Sequence, residues 1–165
     1  MFKQFFNRHK KEEELKKQEL IELQKKAYDI AFTAHTGQVD KAGKDYFNEH
    51  ILFVTNAVKT PEEKIVALLH DTIEDTHVTL EYLRLKDFPE YIIEAVDAIT
   101  RRKNESYDTF IKRVALNPIA KEVKIADLKH NSDLNRLSNI TQEDLNRTQK
   151  YQHYLLYLEN YLKDI

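Results

Sequence analysis

A chain of 165 residues has room for one domain with a proper core and little left over for a second. With 2 glycines and 3 prolines it lacks the turn residues that hairpins and sheets need, so the composition predicts an all-α fold. The formal charge of −2 argues against a nucleic-acid binder, and the absence of cysteine removes disulfides, thiolate metal ligands and a cysteine nucleophile. No apolar stretch reaches membrane-spanning length, and "MFKQFFNRHKK" lacks the apolar centre of a secretory signal, so a cytoplasmic protein is expected.

Residues 1–19 read as a charged helical extension ahead of a domain spanning 20–165. Phe2, Phe5 and Phe6 fall on one helical face and, with Lys3, Arg8, Lys10 and Lys11, could touch a membrane surface or a partner. A frayed terminus or a homo-oligomer contact is the plainer reading. Leu20, Leu23, Ala27, Ile30, Ala31 and Ala34 then recur at helical spacing, with Gly37 as the stop. The loop "GQVDKAGKD" carries both glycines, and a helix from about Tyr46 aligns Phe47, Ile51, Val54 and Val58. Thr60-Pro61-Glu62-Glu63 combines a capping Thr, a Pro at the first helical position and a Glu at the third, predicting a helix that runs toward Asp75. Two more helices are expected near 78–86 and 89–101, and Asn117-Pro118 opens another containing "VKIADLKHN". Thr141 to Asp144 reads as a capping box for the last helix, whose apolar face holds Tyr151, Tyr154, Leu155, Leu158, Tyr161 and Leu162.

One segment breaks its own pattern. "ALLHDTIEDT" places Asp71, Glu74 and Asp75 at the end of an apolar run, where a helix C-terminus disfavours negative charge. Asp71 and Glu74 are three residues apart, Asp71 and Asp75 four, so the acids also repel each other. Each cost is a few tenths of a kcal/mol, but all have one sign, and local rules are broken together mainly at functional sites. A bound cation would remove the conflict. The same tension recurs in "VKIADLKHN", where Ile119, Val123, Ala126, Asp127 and Leu134 follow one stripe and put Asp127 on the buried side. Asn131 lies one turn further on. His50 falls near an apolar edge with Val54 and Ala57, and His35 lies beside Phe32; single histidines in such places are more often satisfied core residues. His9, His77, His130 and His153 read as solvent-facing or structural. Two imidazoles with two carboxylates would suit octahedral Mn²⁺ or Fe²⁺, with Zn²⁺ as the tetrahedral alternative.

In order, "AHTGQVDKAGKDYFNEH", "LLHDTIEDT" and "VKIADLKHN" resemble the HD-domain phosphohydrolases, specifically the hydrolase domain of Rel/SpoT-type alarmone enzymes and the stand-alone small alarmone hydrolases. The resemblance covers about residues 27–151. It implies a compact multi-helix domain that holds one Mn²⁺ and removes the 3′-pyrophosphate of guanosine 3′,5′-bis(diphosphate). Carried over, the metal ligands fall on His50, His70, Asp71 and Asp127, and the pair that activates water on Glu74 and Asp75. Lys41 matches a lysine near the phosphates; Tyr46, Asn131 and Tyr151 match substrate-contacting positions, while His35 matches a non-ligand. Three departures stand out. Asp40 occupies the place of an arginine near the base, one extra residue separates Tyr46 from His50, and Ile51 replaces the usual proline.

The expected function is therefore metal-dependent hydrolysis of a nucleotide. Lys41 would hold phosphates, while Lys44, Lys129, Arg101 and Arg136 are more simply read as solvated surface. The alternatives are an HD-type phosphatase for another nucleotide, and a catalytically silent helical module that senses a nucleotide.

Overall fold

The structure is a computed structural model that describes the backbone of residues 2–161 and the side chains of residues 9–161. Helix α1, Phe2–Ala34, is continuous for 33 residues. From residue 9 to 19 it is exposed throughout, and its apolar stripe of Leu20, Leu23, Ala27, Ile30 and Ala31 then enters the core. The side chains of Phe2, Lys3, Phe5, Phe6 and Arg8, and all of Leu162, lie outside the described residues.

A π-helical turn, Phe47–Ile51, leads into α2, Leu52–Ala57; then come α3, Pro61–Leu69, and the single turn α4, Thr72–Asp75. Helices α5, Leu80–Leu85, and α6, Glu90–Ile99, follow, then α7, Tyr107–Ala115, and α8, Pro118–Asn131. A 3₁₀ turn, Leu134–Arg136, precedes α9, Gln142–Asn160. The fold is all-α: the one β-bridge among the described residues, Val39 with Asp45, is isolated and pins the base of the glycine loop. Gly37 and Gly43 in that loop have positive φ, which is why glycine stands there.

The capping signals act where the sequence placed them. Thr60 and Glu63 form a reciprocal capping box with Pro61 at the first turn, Asn117 caps α8, and Thr141 pairs with Asp144 at the start of α9. Helix α7 was not among the expected elements, although Ser106 caps it and Phe110, Ile111, Val114 and Ala115 bury one face.

Helices α3 and α8 pack against each other at the centre; α1, α2 and α6 also surround α3, while α2, α6, α7 and α9 surround α8. Residues 65–69 of α3 are buried on every side, as an apolar run must be when it has neighbours all round. Each such Ile or Leu contributes about 1.5–3 kcal/mol by leaving water.

The helix from Thr60 does not run on to Asp75. It ends at Leu69 because nearby side chains capture its last carbonyls: His70 Nδ1 donates to Ala67 O at 2.7 Å, and Thr72 Oγ1 to Leu69 O at 2.7 Å. Asp71 then sits at the N-cap of α4. The acids are thus not strung along the C-terminus of one long helix; mutual crowding, not the macrodipole of α3, sets their electrostatics.

Candidate active site

Three segments converge at the point where α3 gives way to α4. The π turn brings His50, the α3–α4 break brings His70 and Asp71, and α8 brings Asp127. His50 and His70 are each 2 % exposed and Asp127 4 %, so all three are out of water. His50 Nε2 lies 3.2 Å from His70 Nε2, 3.3 Å from Asp71 Oδ2 and 3.3 Å from Asp127 Oδ1. His70 Nε2 lies 3.0 Å from Asp71 Oδ2 and 3.9 Å from Asp127 Oδ1. Donors about 2.0–2.2 Å from one ion in tetrahedral or octahedral arrangement sit about 2.8–3.6 Å from their neighbours. His50, His70 and Asp127 offer ligand atoms that all lie within 4.8 Å of one another, a group that could hold one metal ion, and Asp71 Oδ2 lies beside both histidines.

Its electrostatics point the same way. Burial alone would keep both imidazoles neutral, but the facing carboxylates outweigh it, raising His50 to about 9 and His70 above its ordinary value. Burial would likewise raise the acids; instead His70 and His50 hold Asp71 well below the usual carboxylate range, and Lys124 with the two histidines does so for Asp127. The cluster demands positive charge, which protons or a divalent ion can supply.

Partners fix each acid. Tyr46 Oη donates to Asp71 Oδ2 at 2.6 Å, and burial beside that carboxylate raises the phenol's pKa, so it stays a donor. Lys124 Nζ donates to Asp127 Oδ2 at 2.7 Å, and Asn131 Nδ2 to Asp127 Oδ1 at 2.6 Å. Tyr46 and Asn131, both expected at substrate, thus bond the donor cluster with their polar atoms, although both also line the cavity above it.

The one-residue excess between Tyr46 and His50 has a structural counterpart. Leu52 N–H bonds Phe47 O, five residues back, so the helix widens by one residue at this turn. Tyr46 and His50 consequently both reach Asp71 Oδ2, and their rings lie 5.0 Å apart.

Glu74 and Asp75 follow on α4 at the rim. Glu74 Oε1 accepts the Arg101 N–H at 2.6 Å. Desolvation raises both carboxyls, with Asp71 adding repulsion to each. The Gln38 amide stabilises the Asp75 carboxylate, and its Oε1 accepts from His35 Nδ1 at 2.7 Å. His35 is fully buried with its ring 5.4 Å from that of Tyr46, and its Nε2 has no hydrogen-bond partner among the described residues.

A cavity of about 290 Å³ opens over the centre, walled by Lys41, Tyr46, His50, Asn131, Arg136, Arg147 and Tyr151. Lys41 Nζ lies 3.4 Å, and Arg147 Nη2 2.8 Å, from one oxygen of Asp144, the acid that also closes the α9 capping box. Asp40 does not face this cavity as a free charge. Its Oδ1 accepts the N–H groups of Ala42 and Lys44 at 2.8 and 2.9 Å, and its Oδ2 takes Arg136 Nη2 at 2.7 Å. Arg136, read from sequence as solvated surface, is therefore a held guanidinium on the cavity wall. Lys44 pairs loosely with Glu49 at 3.8 Å, Lys129 with Glu159 at 2.7 Å, and Arg101 binds Glu105 O, consistent with surface roles. His77 and His153 are exposed, but His130 is buried, its Nδ1 2.7 Å from His50 Nδ1. Leu134 leaves the α8 stripe for the 3₁₀ turn and lines the cavity.

Sequence reasoning missed His130, Lys124, Arg147 and Asp144. A signal existed for two of them: Lys124, Asp127, His130 and Asn131 share one face of α8 at spacings of three and four.

Comparison with known proteins places the fold. A solved metazoan ortholog of SpoT, described as hydrolysing ppGpp, superposes with a TM-score of 0.69 over 82 % of this chain and 84 % of its own, at 22 % identity. The fold is that of a SpoT-like hydrolase. A GTP pyrophosphokinase of Streptomyces coelicolor is 33 % identical over 119 residues, 64 % of this chain. A guanosine-3′,5′-bis(diphosphate) 3′-pyrophosphohydrolase of Borreliella burgdorferi is 35 % identical over 79 residues, 46 % of this chain. The chain spans 14 % and 12 % of the lengths of these two curated relatives. No family model matches it. The chain has no helix among its described residues that is long and apolar enough to cross a membrane.

Proposed function

We propose that this SpoT-like domain is a cytoplasmic, cation-dependent hydrolase that removes the 3′-pyrophosphate of guanosine 3′,5′-bis(diphosphate). The observation that carries the reading is the convergence of His50, His70, Asp71 and Asp127 beneath a cavity walled by Lys41, Arg136 and Arg147. Those four residues would hold the cation, and their mixed nitrogen and oxygen donors favour Mn²⁺, with Fe²⁺ or Zn²⁺ as substitutes. When bound, such an ion offsets charge on the scissile phosphate and makes a water molecule more acidic.

The protein's own groups do the rest. Tyr46 keeps Asp71 aimed at the centre, and Lys124 with Asn131 does the same for Asp127. Glu74 and Asp75, with proton affinities raised by desolvation, orient the water. One takes its proton as the water oxygen bonds to phosphorus. The bond from phosphorus to the ribose 3′-oxygen breaks, and that oxygen receives a proton from the other acid. Lys41, Arg147 and Arg136 counter the charge of the remaining phosphates, and Tyr151 closes the side of the cavity against the nucleoside.

The test is product analysis with Mn²⁺-loaded protein: GDP and pyrophosphate in equal amounts, lost on chelation and restored by Mn²⁺. Undiminished turnover in metal-free protein would sink the mechanism. The Asp40–Arg136 pair favours one second reading, an HD-type phosphatase for another nucleotide, because a paired carboxylate stands where the resembled family has an arginine near the base. A nucleotide panel scored for phosphate against pyrophosphate separates the two.

A further inference from the structure

His70 and His50 differ in how their protons are placed. His70 Nδ1 faces the Ala67 carbonyl at 2.7 Å, and a carbonyl can only accept. The proton of a neutral His70 must sit on Nδ1, which leaves Nε2 bare and aimed at the donor cluster. His50 Nδ1 faces His130 Nδ1, also at 2.7 Å, across 80 residues of sequence. A ring nitrogen can donate or accept, so the backbone does not decide the matter for His50.

We propose that His130 is a positioning residue that sets the ligating tautomer of His50, an inference that rests on the cation centre described above. With His130 Nδ1 bare, it accepts from His50 Nδ1–H, and His50 Nε2 presents its lone pair to the ion. With the His130 proton on Nδ1, His50 would have to accept there and carry its own proton on Nε2, pointing into the cluster. The two imidazoles thus form one unit with a productive and a blocked arrangement.

Several contacts hold His130 in this place. It is 4 % exposed, the Phe53 ring lies 4.2 Å from its own at 31°, and Arg136 Nη1 donates to its backbone carbonyl at 3.2 Å. Position 130 also follows Asp127 by one turn of α8, so the helix that supplies one donor steers a second. Partners of ligating histidines commonly fix ring orientation and tautomer, and their loss lowers metal affinity about 10–100-fold.

The experiment uses the whole chain with Mn²⁺ as the probe, followed by calorimetry, together with ¹⁵N NMR of the histidine rings in metal-free protein held above pH 9, where His50 is neutral and has a tautomer to read. His130→Phe fills the site without an acceptor and should weaken Mn²⁺ binding about 10–100-fold. His130→Asn restores an acceptor near the Nδ1 position and should recover most of that loss. His130→Ala provides the same comparison if the Phe variant does not fold. In the wild type, the ¹⁵N spectrum should show His50 protonated at Nδ1 and His130 bare there. Equal Mn²⁺ affinity in wild type and both acceptor-less variants would overturn the proposal, as would a His50 bare at Nδ1. If the wild type itself binds no Mn²⁺, the cation centre fails, and the ring spectrum still decides the tautomer.

Discussion

Two of the charge clusters in this domain are built on opposite terms. Around Arg113 every charge is answered. Its guanidinium donates to Glu105 at 3.0 and 2.7 Å and to the carbonyls of Asp97, Ala98 and Thr100 at 2.7, 3.0 and 2.9 Å, closing the C-terminus of α6. Around His50 and Asp71, acids and imidazoles crowd one point, and two further carboxylates stand at the rim. The first cluster is complete as folded. On the proposed reading the second is completed by an added cation, which would be the physical difference between an ion pair that shapes a fold and one that serves a ligand.

That contrast breaks most sharply at Asp127. Asp127→Ala should abolish both turnover and measurable Mn²⁺ binding, read by product assay and calorimetry. Loss of activity with intact Mn²⁺ affinity would remove Asp127 from the donor set. Next comes Glu74→Gln, expected to keep the metal while turnover falls about 10²–10⁴-fold. Because desolvation penalises the Glu74 charge, the same change should leave the unfolding midpoint equal or higher. A clear loss of stability would place Glu74 with the structural cluster instead.

The reverse pattern belongs to Arg113. Arg113→Met should leave the reaction untouched and cost about 2–3 kcal/mol in urea unfolding, toward the lower end for a broken pair because this one keeps some solvent contact. The smallest effect is in pH. Hydrogen bonding to Arg113 lowers Glu105 from 4.5 to about 2, so the pair's stabilisation is complete above about 4.5 and lost as pH falls toward 2. Glu74 and Asp75 have the opposite sign: their raised pKa values make the charged forms a cost near neutrality, relieved on acidification. Glu105→Gln should flatten the first dependence and leave the second, measured as unfolding free energy against pH.

Features carried by neighbours in sequence were the legible ones. Thr60 with Glu63, Asn117 with Pro118 and Thr141 with Asp144 announce helices because the groups they satisfy lie within one turn. Asp127 was legible as a buried acid on an apolar stripe, and Glu74 and Asp75 as a local conflict. The break after Leu69 was not, since an apolar run followed by acids gives no sign that His70 and Thr72 will bond backward to the carbonyls of α3. Nor was the tie from Asp40 to Arg136, which spans 96 residues and joins two segments that only folding brings together. His130 stood on the same stripe as Asp127 but reads like any core histidine until His50 is seen opposite.

The wide turn at Phe47–Ile51 carries a final consequence. An α-helix rotates roughly 100° per residue, so an odd residue normally swings everything downstream to another face. Here the surplus is absorbed within one loop of backbone, and α2 continues as if nothing had been inserted. Shortening the chain by one exposed residue there, Asn48 or Glu49, would leave the apolar core its full complement of side chains. Yet phenol and imidazole could no longer meet on the same carboxylate oxygen. The segment measures out spacing for chemistry, and a deletion that looks harmless by hydrophobicity would put it out of phase.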